Sequence, residues 1–235
     1  MKSWVMGAGA ALVGGIAGAA LMLGIRDANE GDGIRRYLLA HPEVVTEAID
    51  RLRDRETAKL VAPNRAAIET PVGSAWAGDP KGDVTLVEYF DYNCGYCRAS
   101  LPVLAALLKA DPHLRVVYRE LPVLAESSHD AALASLAAAH QGKFAAFHDA
   151  LYAEGPVSAA SIAAAAHRTG VTLPAAPSTA DEAELVANVR MARQLGMTGT
   201  PSWVIGDRVL IGAQPLDQLQ AAVAAARDPS ASPAG

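Results

Sequence analysis

Two cysteines are the residues best suited to chemistry in this chain, and they lie three positions apart. The sequence of 235 residues contains only these two, in the segment Cys94-Gly-Tyr-Cys97. On a helix this spacing places two thiols one turn apart, where they can form a disulfide and open it again. A disulfide that closes so short a loop adds little stability through chain entropy. The spacing therefore predicts a redox pair rather than a structural cross-link.

The segments on either side of the pair predict a strand before it and a helix after it. Residues 84–90 are rich in β-branched and aromatic side chains, and leucines recur every three to four positions from Arg98 to Lys109. This order places Cys94 at a helix start, where free N–H groups and partial positive charge favour the thiolate. We therefore expect Cys94 to be the exposed nucleophile and Cys97 to be the more buried resolving thiol.

Metal binding is the main alternative use of two neighbouring thiols. A structural zinc site normally needs four ligands, and the sequence contains no second Cys-x-x-Cys and no His-x3-His. Copper(I) can be held by two soft thiolates, so it stays open as a side property of the same site. No bound cofactor is predicted.

The overall composition points to a globular protein that does not bind nucleic acid. Hydrophobic residues make up 51% and charged residues 19%, and the net charge is -5. Lysine and arginine form no basic stripe, and an aromatic content of 5% is low for a surface that stacks bases.

Residues 1–25 predict a signal peptide or a transmembrane anchor. No residue from Ser3 to Ile25 is charged, which is long enough to span a bilayer. Ala17-Gly18-Ala19 resembles a signal-peptidase site, whereas Gly14 and Gly18 have the G-x-x-x-G spacing of a membrane helix. The length of the run favours an uncleaved anchor.

Residues 34–62 predict a helical region that breaks at His41-Pro42. One face carries an apolar stripe formed by Val44, Val45, Ala48, Ile49 and Leu52. Two interpretations stay open: the stripe packs on its own domain, or it associates with another copy of the chain. Residues 63–80, with several prolines and glycines, predict a linker.

Residues 81–227 predict one α/β domain. A second strand at 114–119 is followed by four helices between about 125 and 196, two strands at 202–205 and 208–211, and a helix from about 216 to 227. The order β-α-β, helices, β-β-α predicts a thioredoxin-like fold with an inserted helical domain. Residues 228–235, rich in Ser, Pro, Ala and Gly, predict a disordered tail.

Two motifs carry a resemblance to a known family. They are Phe-Asp-Tyr-Asn-Cys-Gly-Tyr-Cys at 90–97 and Gly-Thr-Pro-Ser-Trp-Val-Ile-Gly at 199–206. Together they resemble the DsbA family of periplasmic thiol–disulfide oxidoreductases, and residues 37–45 are similar to the upstream segment of its ScsC-like branch. The resemblance implies a periplasmic or other extracytoplasmic location, with the chain anchored in the inner membrane if residues 3–25 are not cleaved.

The resemblance also implies roles for single residues. Pro201 matches a cis-proline that faces the redox pair, and Gly199, Thr200 and Tyr96 match positions that contact the substrate. The alternative is an ordinary trans proline that opens an edge strand. Glu88 matches a buried acid that exchanges protons with the resolving thiol; the alternative is an acid at the exposed end of a strand.

The residues between the cysteines bear on the direction of the reaction. Gly95-Tyr96 lacks the histidine of strongly oxidising relatives, and it resembles disulfide isomerases and ScsC-like proteins. We therefore expect a disulfide isomerase or reductase, with a dithiol oxidase or a copper-tolerance protein as alternatives. The expected partners are unfolded or misoxidised cysteine-containing proteins, a membrane redox partner that recycles the pair, and other copies of the chain.

Overall fold

The structure is a computed structural model, and it describes residues 31–228. The signal peptide or anchor expected at 1–25 and nearly all of the tail expected at 228–235 lie outside the described residues. Within residues 31–228, no helix is both long enough and apolar enough to cross a membrane. The chain divides into two compact units, Met1–Leu52 and Arg53–Gly235.

The first unit is helical where it is described. Residues 31–40 form helix α1, and helix α2 spans Glu43–Glu69 and so continues into the second unit. The break at His41-Pro42 lies where the sequence predicts it. Six large apolar side chains of residues 31–52 are 45–67% exposed: Ile34, Tyr37, Leu39, Val45, Ile49 and Leu52.

The second unit contains a five-stranded mixed sheet. Its strands are β1 (Trp76–Gly78), β2 (Val84–Phe90), β3 (Leu114–Glu120), β4 (Ser202–Ile205) and β5 (Arg208–Ile211), in the spatial order β1-β3-β2-β4-β5. Strands β2 and β3 are parallel, and the other neighbours are antiparallel. All seven residues of the central strand β2 are buried, which explains its continuous run of apolar and aromatic residues.

Six further helices surround the sheet. They are α3 (Gly95–Ala110), α4 (Glu126–His140), α5 (Phe144–Glu154), α6 (Ala159–Thr169), α7 (Thr179–Gln194) and α8 (Leu216–Arg227). Helices α4 to α7 lie between β3 and β4 in the chain and form the helical insertion. The thioredoxin-like α/β fold is thereby confirmed.

The two faces of β2 pack against different layers. Leu86 lies in a core with side chains of α3 and α8, and Phe90 lies in a second core with α4, α5 and α6. Val87 and Tyr89 point the other way, into a core formed with α2 and with α7 and the loop after it. Because side chains alternate along a strand, Glu88 shares the face of Leu86 and Phe90.

The linker predicted over residues 63–80 is wrong for most of its length. Helix α2 continues to Glu69 because Val61 and Ile68 are completely buried in the core under the sheet. The buried guanidinium of Arg119 donates to the carbonyl oxygens at the end of this helix, those of Ala67, Ile68 and Thr70. Residues 76–78 then form β1, which pairs with β3.

Candidate active site

Cys94 occupies the N-cap of α3, as the sequence predicts. The backbone turns after β2, and Cys94 adopts extended angles of φ −83° and ψ 112°. Its sulfur accepts a hydrogen bond from the backbone N–H of Cys97 at 3.3 Å. The turn is held by Asp91, whose carbonyl oxygen accepts the N–H of Cys94 at 3.0 Å. A negative charge on this sulfur would therefore meet the helix N-terminus directly.

The two thiols differ in burial less than the sequence suggests. Both are free, and Cys94 is 5% exposed while Cys97 is 1% exposed. The expectation of an exposed nucleophile is therefore wrong in degree. The reason is the loop before β4, which lies over the sulfur, so that the Cys94 thiol donates to the carbonyl oxygen of Thr200 at 3.2 Å. Tyr96, in contrast, is 70% exposed.

The Gly199-Thr200-Pro201 segment lies at the redox pair, although more than a hundred residues separate them in the chain. The peptide bond between Thr200 and Pro201 is cis, as the resemblance implies. The Gly199 carbonyl oxygen accepts the hydroxyl of Ser202 at 2.7 Å, which fixes the turn into β4. The Thr200 hydroxyl oxygen is buried and has no hydrogen-bond partner within residues 31–228.

Glu88 is buried beneath the redox pair, not at an exposed strand end. It is 2% exposed, and its neighbours on the adjacent strands are Tyr118 and Trp203. Burial raises the pKa of Glu88 from 4.5 to about 8. Burial, and then the negative charge of Glu88, also raise the pKa of Cys97 far above its usual range. The two groups are therefore electrostatically coupled.

Sequence reasoning missed the residues that hold the turn before Cys94. The Asp91 carboxylate accepts the N–H of Asn93 at 2.8 Å, and the Asp91 carbonyl oxygen accepts the Tyr152 hydroxyl at 3.1 Å. The Asn93 amide donates to the hydroxyls of Ser127 and Ser128 at the start of α4. An Asp and an Asn between a strand and a helix are a turn signal that could have suggested this role. Their partners on α4 and α5 could not be read from the sequence.

Tyr92, Ser135 and His148 form a second cluster of buried polar side chains. The Tyr92 hydroxyl is 2.9 Å from the Ser135 hydroxyl and 3.1 Å from Nδ1 of His148. Burial lowers the pKa of His148 to about 3, so that the imidazole is neutral, and it raises the pKa of Glu120 well above the ordinary value. The His148 ring is therefore uncharged at neutral pH, and burial disfavours the charged form of Glu120. No group of three His, Cys, Asp or Glu side chains in the described part of the chain is arranged to hold a metal ion.

The family of the chain follows from two matches that cover the fold and the region before it. Residues 85–224 match the DSBA-like thioredoxin domain. The chain belongs to the DSBA-like thioredoxin family. Residues 31–59 match the N-terminal domain of the copper resistance protein ScsC. The predicted resemblance to the DsbA family and to its ScsC-like branch is thereby confirmed.

Solved structures of similar proteins have the same fold. A thioredoxin-like oxidoreductase from Silicibacter pomeroyi DSS-3 is 38% identical, with a TM-score of 0.65 over 70% of this chain and 98% of that one. The catalytic domain of Proteus mirabilis ScsC is 31% identical, with a TM-score of 0.65 over 71% and 96% of the two chains. A periplasmic thioredoxin-like protein from Salmonella enterica serovar Typhimurium is 32% identical, with a TM-score of 0.63 over 68% and 93%.

Curated relatives match over a shorter share of their own length. They include the proteins named Na(+)/H(+) antiporter NhaA 1 of Salinispora arenicola and Na(+)/H(+) antiporter NhaA 3 of Salinispora tropica, each 31% identical over 156 residues. The match covers 63% of this chain and 24% of each relative, so the chain spans about a quarter of the length of these curated relatives.

Proposed function

We propose that this protein is an extracytoplasmic thiol–disulfide oxidoreductase that reduces and rearranges disulfides in other proteins. The observation that carries the proposal is the position of the Cys94 sulfur. The sulfur accepts the N–H of Cys97 at 3.3 Å, and its thiol donates to the carbonyl oxygen of Thr200 at 3.2 Å. An extended client segment that paired with this backbone would bring its own sulfur to Cys94.

The reaction has a common first step and two ways to finish. The Cys94 thiolate attacks one sulfur of a client disulfide, which forms a mixed disulfide and expels the other client sulfur as a thiolate. In reduction, the Cys97 thiolate then attacks the Cys94 sulfur, releases the second client thiol and leaves the Cys94–Cys97 disulfide. In isomerisation, another client thiolate attacks the mixed disulfide, regenerates the Cys94 thiolate and leaves a rearranged client disulfide.

Glu88 supplies the base for the reductive branch. Cys97 must lose its proton before it can attack, and burial with a neighbouring negative charge holds that proton on the sulfur. A carboxyl with a pKa of about 8 can both accept and release a proton near neutral pH. Glu88 therefore takes the proton of Cys97 as the mixed disulfide is resolved.

The reduction potential of the Cys94–Cys97 couple tests the direction of the reaction. Equilibration in glutathione buffers, followed by alkylation and mass measurement of the free thiols, gives this value. A potential near that of protein disulfide isomerase, about −180 mV, with rearrangement of a scrambled-disulfide client, supports isomerase or reductase activity. A potential near that of DsbA, about −120 mV, without rearrangement would favour the dithiol oxidase instead.

The location and the electron source are part of the same proposal. The similar Salmonella protein is described as periplasmic, and residues 3–25 form an uncharged run suited to export or to membrane anchoring. After each reduction the Cys94–Cys97 disulfide must receive two electrons, which a dithiol partner at the membrane would supply. Clients with unfolded or misoxidised cysteines are the expected substrates.

Residues 31–52 form a surface for association with further copies of the chain. Val45, Ile49 and Leu52 follow one another at helical spacing and are 45–53% exposed. Contiguous exposed apolar surface of this kind is typical of an interface. Linked catalytic domains would raise the effective concentration of thiols around one misfolded client, which suits isomerisation.

Copper(I) binding is a second candidate because residues 31–59 match a domain named for copper resistance. The two thiols of Cys94 and Cys97 would be its ligands. Competition with a colorimetric Cu(I) chelator measures binding, with Cys94→Ser as the matched control. Equal copper retention by the wild type and by this variant would remove the candidate.

A further inference from the structure

The carboxylate of Asp91 is buried and accepts several hydrogen bonds, although it lies outside the redox pair. It is 1% exposed and accepts four hydrogen bonds. They come from the backbone N–H groups of Asn93 at 2.8 Å, Val123 at 2.9 Å and Leu124 at 3.0 Å, and from the Ser128 hydroxyl at 2.7 Å. Four donors saturate the acceptor sites of an ionised carboxylate.

The two carboxylate oxygens serve different parts of the fold. Oδ1 accepts from Asn93 and Ser128, and so joins the turn before Cys94 to the first turn of α4. Oδ2 accepts from the two consecutive N–H groups of the loop between β3 and α4. Because a carboxylate is short and rigid, one side chain fixes the position of this loop relative to the turn that presents Cys94.

The loop held by Oδ2 carries apolar side chains into solvent. Val123 is 50% exposed and Leu124 is 51% exposed, although their backbone N–H groups point inward. Both bond to Asp91, whose carbonyl oxygen binds the N–H of Cys94. The loop and the turn that presents Cys94 are therefore hydrogen-bonded to the same residue.

We propose that Asp91 is a positioning residue that makes the exchange reaction selective for client disulfides with a large apolar neighbour. Its carboxylate holds Val123 and Leu124 at a fixed place beside Cys94, and this pair receives an apolar client side chain. The inference rests on the proposed function, since it concerns how clients are selected at that same redox pair.

Asp91→Asn is the sharpest test because it keeps the shape and reverses part of the hydrogen bonding. The amide of Asn has one oxygen, which accepts, and one nitrogen, which only donates. In one orientation the nitrogen faces the two loop N–H groups, and in the other it faces the Asn93 N–H. In either case, the N–H groups that face the nitrogen lose their acceptor. The matched control is Asp79→Asn. Asp79 has the same local turn, with Oδ1 accepting from the N–H of Lys81 at 2.9 Å and its carbonyl oxygen accepting from Gly82, but it has no comparable bonds to the loop at 123–124.

Three disulfide probes separate client selection from reactivity. They are a peptide disulfide flanked by leucines, the same peptide flanked by serines, and bis(2-hydroxyethyl) disulfide. For the full-length reduced protein we expect Asp91→Asn to lower kcat/KM for the leucine peptide about tenfold through KM, on the scale of one lost apolar contact. Asp91 also holds the turn before Cys94, so a loss shared by all three probes reports on that turn, and the tenfold effect is measured as the ratio of the leucine-peptide rate to the serine-peptide rate. Every rate of Asp79→Asn should stay within about twofold.

A double-variant comparison shows whether the effect passes through the loop. In a protein that already carries Val123→Ser and Leu124→Ser, Asp91→Asn should change the leucine-peptide rate less than about twofold. An equal loss for all three probes, or a full tenfold loss in this background, would overturn the proposal. No reaction of the wild type with any probe would instead overturn the proposed function.

A measurement on the wild type covers the case in which Asp91→Asn fails to fold. The backbone amides of Val123 and Leu124 should exchange with solvent deuterium much more slowly than those of a free loop, because both donate to a buried carboxylate. The Val123→Ser and Leu124→Ser protein should also lose the preference for the leucine peptide. Exchange at free-chain rates, or an unchanged preference, would overturn the proposal without the aspartate variant.

Discussion

Residues 31–52 and residues 53–228 differ in how far their large apolar side chains are buried. The second region buries the whole of β2 and builds its cores on both faces of the sheet. The first region leaves six large apolar side chains 45–67% exposed. Because apolar burial is the main force in folding and in association, the first region carries surface that a partner can bury.

Some large apolar side chains of residues 53–228 are nevertheless exposed. Three of its exposed large apolar residues, Tyr96, Val123 and Leu124, belong to the active-site turn or are bonded to it. Part of the exposed apolar surface of this region therefore lies at the turn that presents Cys94, whereas Leu60, Leu173, Val186 and Ile211 are exposed elsewhere. The two regions thus predict separable effects: variants near Cys94 should change chemistry, and variants in residues 31–52 should change assembly.

The largest expected effect is the loss of exchange in Cys94→Ser. A hydroxyl is not ionised near neutral pH and cannot form a mixed disulfide, so client reduction should fall at least about a thousandfold. The mass of the protein in solution should not change, which light scattering would show. Cys97→Ser is the matched control, since it keeps the nucleophile and should accumulate mixed disulfides visible by mass spectrometry. Residual client reduction by Cys94→Ser would contradict the assigned order of attack.

The next effect is a pH-dependent gain of stability in Glu88→Leu. In the fold the pKa of Glu88 is about 8, against an ordinary value of 4.5. Between these values the unfolded chain releases a proton that the folded chain retains. The wild type therefore loses stability relative to the variant as pH rises from about 4.5 to about 8, by up to about 1.4 kcal/mol per pH unit. Urea unfolding across this range measures the gap.

The same variant should slow the resolution of mixed disulfides by roughly tenfold to a hundredfold, because the base is gone. Glu88→Gln is the control that keeps the size and polarity of the side chain but also lacks the base. A stability gap that does not widen with pH would mean that the carboxyl is ionised in the fold, contrary to its burial.

Association should be weakened by a double change in the first region. Val45→Ser with Ile49→Ser removes two exposed apolar side chains from one helix face, which should weaken assembly by roughly 3 kcal/mol, or about a hundredfold. Sedimentation at several concentrations measures the association constant. Val186→Ser removes a comparably exposed side chain from the second region and should leave assembly unchanged. A monomeric wild type would contradict the association of residues 31–52 with further copies of the chain.

The smallest expected effect is that of Thr200→Val. Its hydroxyl oxygen is buried without a partner in residues 31–228, and its carbonyl oxygen accepts the Cys94 thiol. Removal of the hydroxyl should change the Cys94–Cys97 equilibrium with glutathione a few-fold, on the scale of one hydrogen bond. Thr198→Val, at an exposed neighbouring position, is the control. An unchanged equilibrium and unchanged turnover would leave Thr200 without this role.

The sequence predicted the features that depend on local pattern. Strands β4 and β5 have the predicted bounds, and the N-cap position of Cys94 follows from a strand directly before a helix. The burial of Glu88 is what the family resemblance implies. In each case the deciding information lies within a few residues of the feature, or in a motif that fixes it.

Features that depend on distant contacts were missed. The Pro and Gly residues of 63–80 suggested a linker, but the burial of Ile68 and the guanidinium of Arg119 extend α2 through that region. The helix-start position predicts an exposed Cys94, and this fails because the backbone of Thr200, 106 positions away in the chain, covers the sulfur. The four bonds of the Asp91 carboxylate involve partners up to 37 positions away.

The hydrogen bonds of Arg119 determine where the chain can be truncated without loss of buried contacts. Its donors bind the last carbonyls of α2 and the Glu184 carboxylate, so a cut after that helix would remove part of the catalytic core and leave a buried cation with fewer partners. A cut before Arg53 spares these bonds and leaves Asp54, which pairs with Arg208 at 2.8 Å, in the first turn of the new helix end, where an acid is favourable. A truncation that keeps these bonds would therefore begin inside a helix rather than in a loop.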